Sequence, residues 1–524
     1  MTPLITEVCS AQNIPSPVVF GATILGIEAT PVTNFSHDAG TPYSVWTKSQ
    51  FAGLNFCNVS VTYTHPGRGD EIHVQTLLPE LDNWNGRFLG ASGGGWSATL
   101  GLLNLIPAVD AGFAVADTDA GAPVNSLSSE SWALLSPGNP DIARLDTFAG
   151  QALHEQSIIG KSITESYYNQ APAYSYFAGC SQGGRQGNML AQRYPEDYDG
   201  IAALAPAINW SQFFAGMFWP RQVMYELNYF PQPCEVLAWT AAATEACDKL
   251  DGLVDGVVSR PESCSFDPFS LIGTGYKCDA TSMTFTTKGA SLVNAIWTGP
   301  RDEEGAFEWY GYPVDTNITS VVASTTCDTT GHCEIRPWHL PEDWLRLWVA
   351  ADPDFNLTNM TRLEYTELAH AGLNHYDSII GTRDPDLSKF RDLGRKLLSW
   401  HGVADEYIPV NGSLDYHGRV HELDANADDY FRLFLAPGVE HCLPGVGPYP
   451  TNVMQTIMDW VEKGVAPEQL VAQNVSMIDP TTGELFGQGN RTEGMGRPLC
   501  LYPLEQEYVG GDGDQLSSFR CVAR

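Results

Sequence analysis

The run YSYFAGCSQGGRQGNMLAQRY, residues 174–194, holds the residues best suited to chemistry. Apolar Tyr174 to Ala178 predicts a short buried strand, and RQGNMLAQRY predicts a helix. Between them stands Gly179-Cys180-Ser181-Gln182-Gly183. Strand, sharp turn and helix are the setting of a G-x-S-x-G nucleophile elbow. There the serine hydroxyl is presented at a helix N-terminus, where the dipole favours developing negative charge. The same five residues also suit a Gly-rich strand-to-helix turn with no chemistry.

Two cysteines separate these readings. Cys180 directly precedes Ser181, and in FLAPGVEHCLPG, residues 434–445, His441 directly precedes Cys442. If Cys180 and Cys442 are bonded, their Cα atoms lie within ~4.4–6.8 Å. Ser181 and His441 then meet as nucleophile and general base. Between them KLLSWHGVADEYIPV, residues 396–410, predicts a strand from Leu397 to Trp400 and then a turn bearing Asp405. Alone, Asp405 reads as a turn-capping aspartate. The chain order Ser181, Asp405, His441 is that of the α/β-hydrolase fold.

These motifs resemble the tannase and feruloyl esterase family, secreted mostly by fungi. WNGRFLGASGGGW, residues 84–96, is similar to its N-terminal signature, as is GFAVADTDAG, residues 112–121. DPDLSKFRDLGRKLLSWHG, residues 384–402, is similar to its third block, so the resemblance covers nearly the whole chain. It implies hydrolysis of feruloyl, caffeoyl and p-coumaroyl esters of plant cell wall or quinate, or of galloyl esters of tannins. It further implies that tannase members often carry a dibasic processing site in the lid. No KR or RR occurs between residues 206 and 379, which favours the cinnamoyl side over a tannase. From another class, a catalytically dead secreted protein that holds a plant phenolic also fits the composition, but not an intact Ser181, Asp405 and His441.

The elements that must position these residues follow from the rest of the 524-residue chain. A sheet's first strands are expected over residues 1–110, and RFLGASGGGW ends a strand in Gly93, Gly94 and Gly95. One of these glycines is expected to supply an oxyanion donor beside the backbone N–H of Gln182. GFAVA, residues 112–116, predicts a strand. Residues 145–169 predict a crossover helix, hence a parallel sheet. Past Trp210 the alternation fades and tryptophans crowd: Trp210, Trp219, Trp239, Trp297, Trp309, Trp338, Trp344 and Trp348. The resemblance implies a lid over the active site. The expected organisation is an α/β-hydrolase fold with a large inserted lid domain: residues 1–205 catalytic, 206–379 lid, 380–524 catalytic again. The lid tryptophans serve mostly as lid core, some as pocket for a flat aromatic acyl group. After residue 380, YFRLFLAP predicts a strand before His441, and MQTIMDWVEKG an amphipathic helix ending at Gly464.

Within ACDKLDGLVDGVVSRPESC, residues 246–264, Asp248, Asp251 and Asp255 crowd one Gly-containing loop. Hard oxygen ligands at this density suit structural Ca²⁺, although the spacing is not that of an EF-hand. The resemblance places backbone donors at Leu253 and Val257. A solvated acidic turn is the alternative.

Twelve cysteines without a C-x-x-C pair favour six bridges over a zinc site. Besides Cys180–Cys442, the expected pairs are Cys9–Cys57, Cys247–Cys264 across the acidic loop, and Cys500–Cys521. The short loop favours Cys327–Cys333, leaving Cys234–Cys278. Sequons at Asn34, Asn58, Asn209, Asn317, Asn356, Asn359, Asn411, Asn474 and Asn490 point to N-glycans and secretion. Residues 1–20 show no signal-peptide pattern, so the sequence is read as starting at a mature N-terminus behind an added Met1. A net charge of −34 disfavours nucleic acid and anionic lipid, and no apolar run approaches a membrane span.

Overall fold

A computed structural model describes residues 5–40, 43–278, 281–475, 477–478, 485–486 and 496–523. Its centre is one sheet of nine strands. In chain order these are β1 (Thr23–Asp38), β2 (Gln50–Thr64), β3 (Ile72–Pro79), β4 (Arg87–Ala91), β5 (Ala114–Thr118), β6 (Tyr174–Cys180), β7 (Gly200–Leu204), β8 (Lys396–Gly402) and β9 (Phe431–Ala436). Across the sheet they run β1-β2-β3-β5-β4-β6-β7-β8-β9. The first pairings, through β3 with β5, are antiparallel. From β5 onward every pairing is parallel. The parallel strands are short apolar runs buried on both faces, as strands covered by helices on each side must be.

The predicted strands around Ser181, before Asp405 and before His441 fall at β6, β8 and β9, so their C-terminal ends meet along one edge of the sheet. The helix expected over 145–169 is interrupted. A short turn of helix, Ile142–Asp146, passes through a wider five-residue segment, Thr147–Gln151, into α1 (Ala152–Tyr168). The strand expected from Gly112 starts at Ala114, because Gly112 and Phe113 still close the preceding helix by hydrogen bonds back to Val109 and Ala108. Four further helices are α2 (Gln182–Arg193), α3 (Trp210–Leu227), α4 (Asn411–Leu423) and α5 (Val453–Lys463), the last capped by Gly464 in the left-handed conformation as expected.

All six expected disulfides are present. One apolar cluster joins Trp96, Trp132 and Phe148 to Trp210, Trp344 and Trp348, so segment 206–379 shares a core with the residues before it. Among the described residues no helix is long and apolar enough to cross a membrane. Two sequons are not open to modification in the folded chain. Asn209 is buried between Gly412 and Arg419, and Asn474 is buried beside Asp514. Asn490 lies outside the described residues.

Candidate active site

Ser181 leaves β6 with φ 67° and ψ −124° and opens α2. A non-glycine residue in that region costs on the order of 1–3 kcal/mol and persists only where its surroundings hold it. Here the Ser181 N–H donates to the Leu204 carbonyl, and the Ala207 N–H donates to the Ser181 carbonyl, both at 3.0 Å. The flanking glycines are required by close approach. A Cβ at Gly179 would stand 2.3 Å from Ser92 Oγ, and one at Gly183 2.4 Å from the same atom.

The serine reaches its two expected partners. Its Oγ lies 2.8 Å from His441 Nε2, and His441 Nδ1 lies 2.7 Å from Asp405 Oδ2. An ionised carboxylate can only accept, so Nδ1 carries the ring proton and Nε2 is left to take the serine's. Cys180 and Cys442 are bonded with Cα atoms 5.9 Å apart, which ties the turn after β6 to the loop after β9. Asp405 is fully buried, and its Oδ1 accepts the N–H groups of Tyr407 at 2.9 Å and Ile408 at 2.7 Å. Burial alone would push its carboxyl up. The charge of His441 and the hydrogen bonds from His401 and His441 outweigh this and hold it well below the usual carboxylate range. Burial opposes charging of His441, but the charge and hydrogen bond of Asp405, with a further pull from Glu406, raise its pKa.

Several neighbours lay outside the sequence reading. His401 Nε2 is 3.2 Å from Asp405 Oδ2 and donates to the Ile408 carbonyl at 3.0 Å. Tyr407 stacks on the His441 ring, with centroids 4.7 Å apart. Glu406 accepts the His441 N–H at 3.0 Å. Burial, then the charge of Asp405, pushes Glu406 up to about 7. Glu440 is raised to about 8, again by burial first and then by Glu406. The adjacency Asp405-Glu406 and Glu440-His441 was the available signal, since two acids beside two triad members must share one buried corner.

Of the three candidate oxyanion glycines, two are corrected. The Gly93 N–H donates to Gln186 Oε1 at 2.9 Å, and the Gly94 N–H donates to the Ser97 carbonyl at 3.1 Å. Neither is free to take a developing charge. Gly95 has no such acceptor among the described residues, and it lines the cleft that holds Ser181, Gln182 and His441. That cleft has a volume of about 350 Å³. Its apolar wall is Trp210, Phe213, Phe214, Met217 and Leu340. Trp210 alone of the eight tryptophans between 206 and 379 reaches it; the others are buried or half-buried elsewhere.

The acidic loop is a second constellation. Asp248 is buried and accepts the N–H groups of Asp255 and Gly256; Asp251 accepts that of Leu253 and Asp255 that of Val257. The other oxygen of Asp255 meets the buried guanidinium of Arg497, far downstream. Asp514 also faces Arg497 and Asp315 stands by Asp248, so the loop keeps an excess of negative charge, and every side-chain donor is oxygen. That donor chemistry is the one calcium takes. Cys247–Cys264 closes the loop, and Asp315 stands near it. Burial pushes the Asp315 carboxyl up to about 6, against the pull of the Asp315 and Val258 N–H groups and with the charge of Asp248.

The family described as "Tannase and feruloyl esterase" matches residues 57–522. An Arthroderma benhamiae protein named "Probable feruloyl esterase" is 39% identical over 519 residues, covering 97% of this chain and 93% of that one. An Aspergillus oryzae "Tannase" is 30% identical over 578 residues, covering 99% and 93%. Among solved structures, the tannin acyl hydrolase of Aspergillus niger superposes with a TM-score of 0.85 at 28% identity, covering 100% of this chain and 97% of its own. Feruloyl esterase B of Aspergillus oryzae superposes with 0.77 at 25%, covering 96% and 97%. With its nucleophile elbow and hydrolase strand order, this chain belongs to the tannase and feruloyl esterase family.

Proposed function

We propose that this protein is a secreted serine carboxylesterase that releases hydroxycinnamic acids from plant cell-wall or quinate esters. The observation that carries this is the continuous Ser181–His441–Asp405 hydrogen-bond chain at the floor of an aromatic-walled cleft. Ser181 Oγ attacks the ester carbonyl as its proton passes to His441 Nε2. The carbonyl oxygen, now an anion, is met by the N–H groups of Gln182 and Gly95. The intermediate collapses, His441 protonates the departing alcohol, and the acyl group stays on Ser181. A water molecule activated by His441 then frees the acid. Asp405 holds the imidazole in its productive tautomer and balances its charge.

Residues 206–379 act as a lid over the sheet edge, contributing the wall from Trp210 to Met217 and Leu340. Asp248, Asp251 and Asp255, with the carbonyls of Leu253 and Val257, hold a structural Ca²⁺ that neutralises the loop. Six disulfides and exposed sequons such as Asn34 and Asn356 suit a glycosylated, exported protein.

The apolar wall favours a phenylpropenoyl group. Trp210, Phe213, Phe214, Met217 and Leu340 suit a flat apolar ring, while Asn125 and Glu406 on the same cleft offer ring hydroxyls their oxygen acceptors. The likeness to a tannase and to a tannin acyl hydrolase keeps galloyl ester hydrolysis as the second reading. A panel of methyl ferulate, caffeate, p-coumarate and gallate decides between them; a gallate kcat/KM above the other three overturns the first. A fluorophosphonate probe that fails to label Ser181 overturns the esterase and leaves an inactive phenolic-binding protein.

A further inference from the structure

We propose that His417, His421 and Asp428 form a second metal site, one for a zinc-class divalent ion rather than calcium. His417 and His421 stand four residues apart on α4, so both imidazoles leave the same helix face. Asp428 comes from the Ala427–Asp429 turn, just before β9. One donor atom of each residue lies within 4.8 Å of those of the other two, and Nε2 of both histidines faces Oδ1 of Asp428. All three atoms are buried, and none has a hydrogen-bond partner among the described residues.

An ion pair alone does not account for this arrangement. His421 Nε2 lies 3.2 Å from Asp428 Oδ1, but His417 Nε2, 4.0 Å from the same oxygen, remains orphaned. One cation between them uses all three lone pairs. Ligands at about 2.0–2.2 Å from a tetrahedral ion stand about 3.3 Å apart, which the first distance matches and a small side-chain rotation brings the second toward. Two imidazoles and one carboxylate are a donor set for Zn²⁺, Co²⁺ or Ni²⁺, with room for water; calcium takes oxygen. Phe431 and Tyr502 pack against the His417 ring and fix it from one side. The side chains of His421 and Asp428 are 26% and 40% exposed, which gives the ion a way in. None of the three lines the cleft, so the ion clips α4 to the root of β9 and takes no part in catalysis.

The test uses the whole protein, stripped of metal and then returned to excess Ca²⁺ so that the acidic loop is filled. Titration with Zn²⁺ and elemental analysis give the stoichiometry; Co²⁺ in its place reports nitrogen coordination by visible absorption. One zinc per chain is expected, with a higher Tm and unchanged turnover. His421→Gln and Asp428→Asn, both at partly exposed positions, are each expected to weaken zinc binding at least about tenfold. They should abolish the cobalt bands while leaving calcium content and turnover intact. No zinc retained in the presence of calcium overturns the proposal, as does equal binding by wild type and both variants.

Discussion

Two acidic corners of this protein are each closed by a disulfide, and they handle charge in opposite ways. At the catalytic corner Asp405 has two backbone N–H donors and two imidazoles within reach, so its charge is met entirely by the chain. At the loop from Asp248 to Asp255, the guanidinium of Arg497 pairs with Asp255, and an excess of negative charge is left over. The catalytic corner is closed because a triad must hold one protonation state before substrate arrives. The loop is left open in charge, and the calcium ion proposed there would convert that deficit into folding free energy.

If the catalytic corner is complete in itself, breaking its chemistry should leave the fold untouched. Ser181→Ala is expected to lower kcat by about 10⁶-fold, and Asp405→Asn by about 10⁴-fold, since the latter spoils the tautomer and not the nucleophile. Steady-state kinetics beside unchanged thermal melts check both. A Ser181→Ala protein with appreciable turnover would end the triad reading.

Cys180–Cys442 tests what holds that corner in register. A bridge closing so long a loop contributes on the order of 4–5 kcal/mol through the unfolded state, but five other bridges and a large core share that task. Its geometric role is unshared, and about 1 Å of misplacement between nucleophile and base costs about 100-fold. The double variant Cys180→Ala/Cys442→Ala is expected to stay folded and monodisperse, with kcat about 100-fold lower. Turnover near wild type in a folded double variant would show that packing alone aligns the pair.

The loop should behave the other way round. Chelation is expected to lower Tm while sparing the chemistry of molecules still folded. A cation at 100 times its Kd adds about 2.7 kcal/mol to stability. Calorimetry with and without EDTA, together with elemental analysis for calcium, measures it; an unchanged melt and no metal would place the compensation on Arg497 alone.

The two corners were also unequally legible in the sequence. Ser181, Asp405 and His441 could be read because chain order, strand ends and adjacent cysteines all point to one place. The strands before Ser181, Asp405 and His441 could be read because each is a mostly apolar run ending at a turn; Gly200–Leu204 was not read. Arg497 could not, because its pairing with Asp255 depends on how the C-terminal segment packs against the loop. The oxyanion glycine stayed open for a similar reason: only the partners Gln186 and Ser97 remove Gly93 and Gly94. Seven of the eight tryptophans between 206 and 379 serve packing and Trp210 the cleft, a division that composition does not encode.

The smallest expected effect concerns Glu406, the buried acid that accepts the His441 N–H. When ionised it favours the imidazolium form of His441, which cannot act as base. Glu406→Gln removes that charge and keeps the hydrogen-bond acceptor, so the acid limb of the kcat/KM profile should move to lower pH by less than about one unit. Stability gives an independent reading with a definite sign. Burial raises the folded-state pKa of Glu406 to about 7, above the ordinary glutamate value near 4.3. Between those limits the folded protein holds a proton that the unfolded chain has released, so stability falls as pH rises through the window. The variant should lose less Tm than wild type on going from the acid to the neutral end, while Glu440, raised to about 8, keeps part of the slope. A Tm slope identical to wild type would mean that Glu406 is charged across the whole window, and an unmoved acid limb would mean that its charge does not bear on His441.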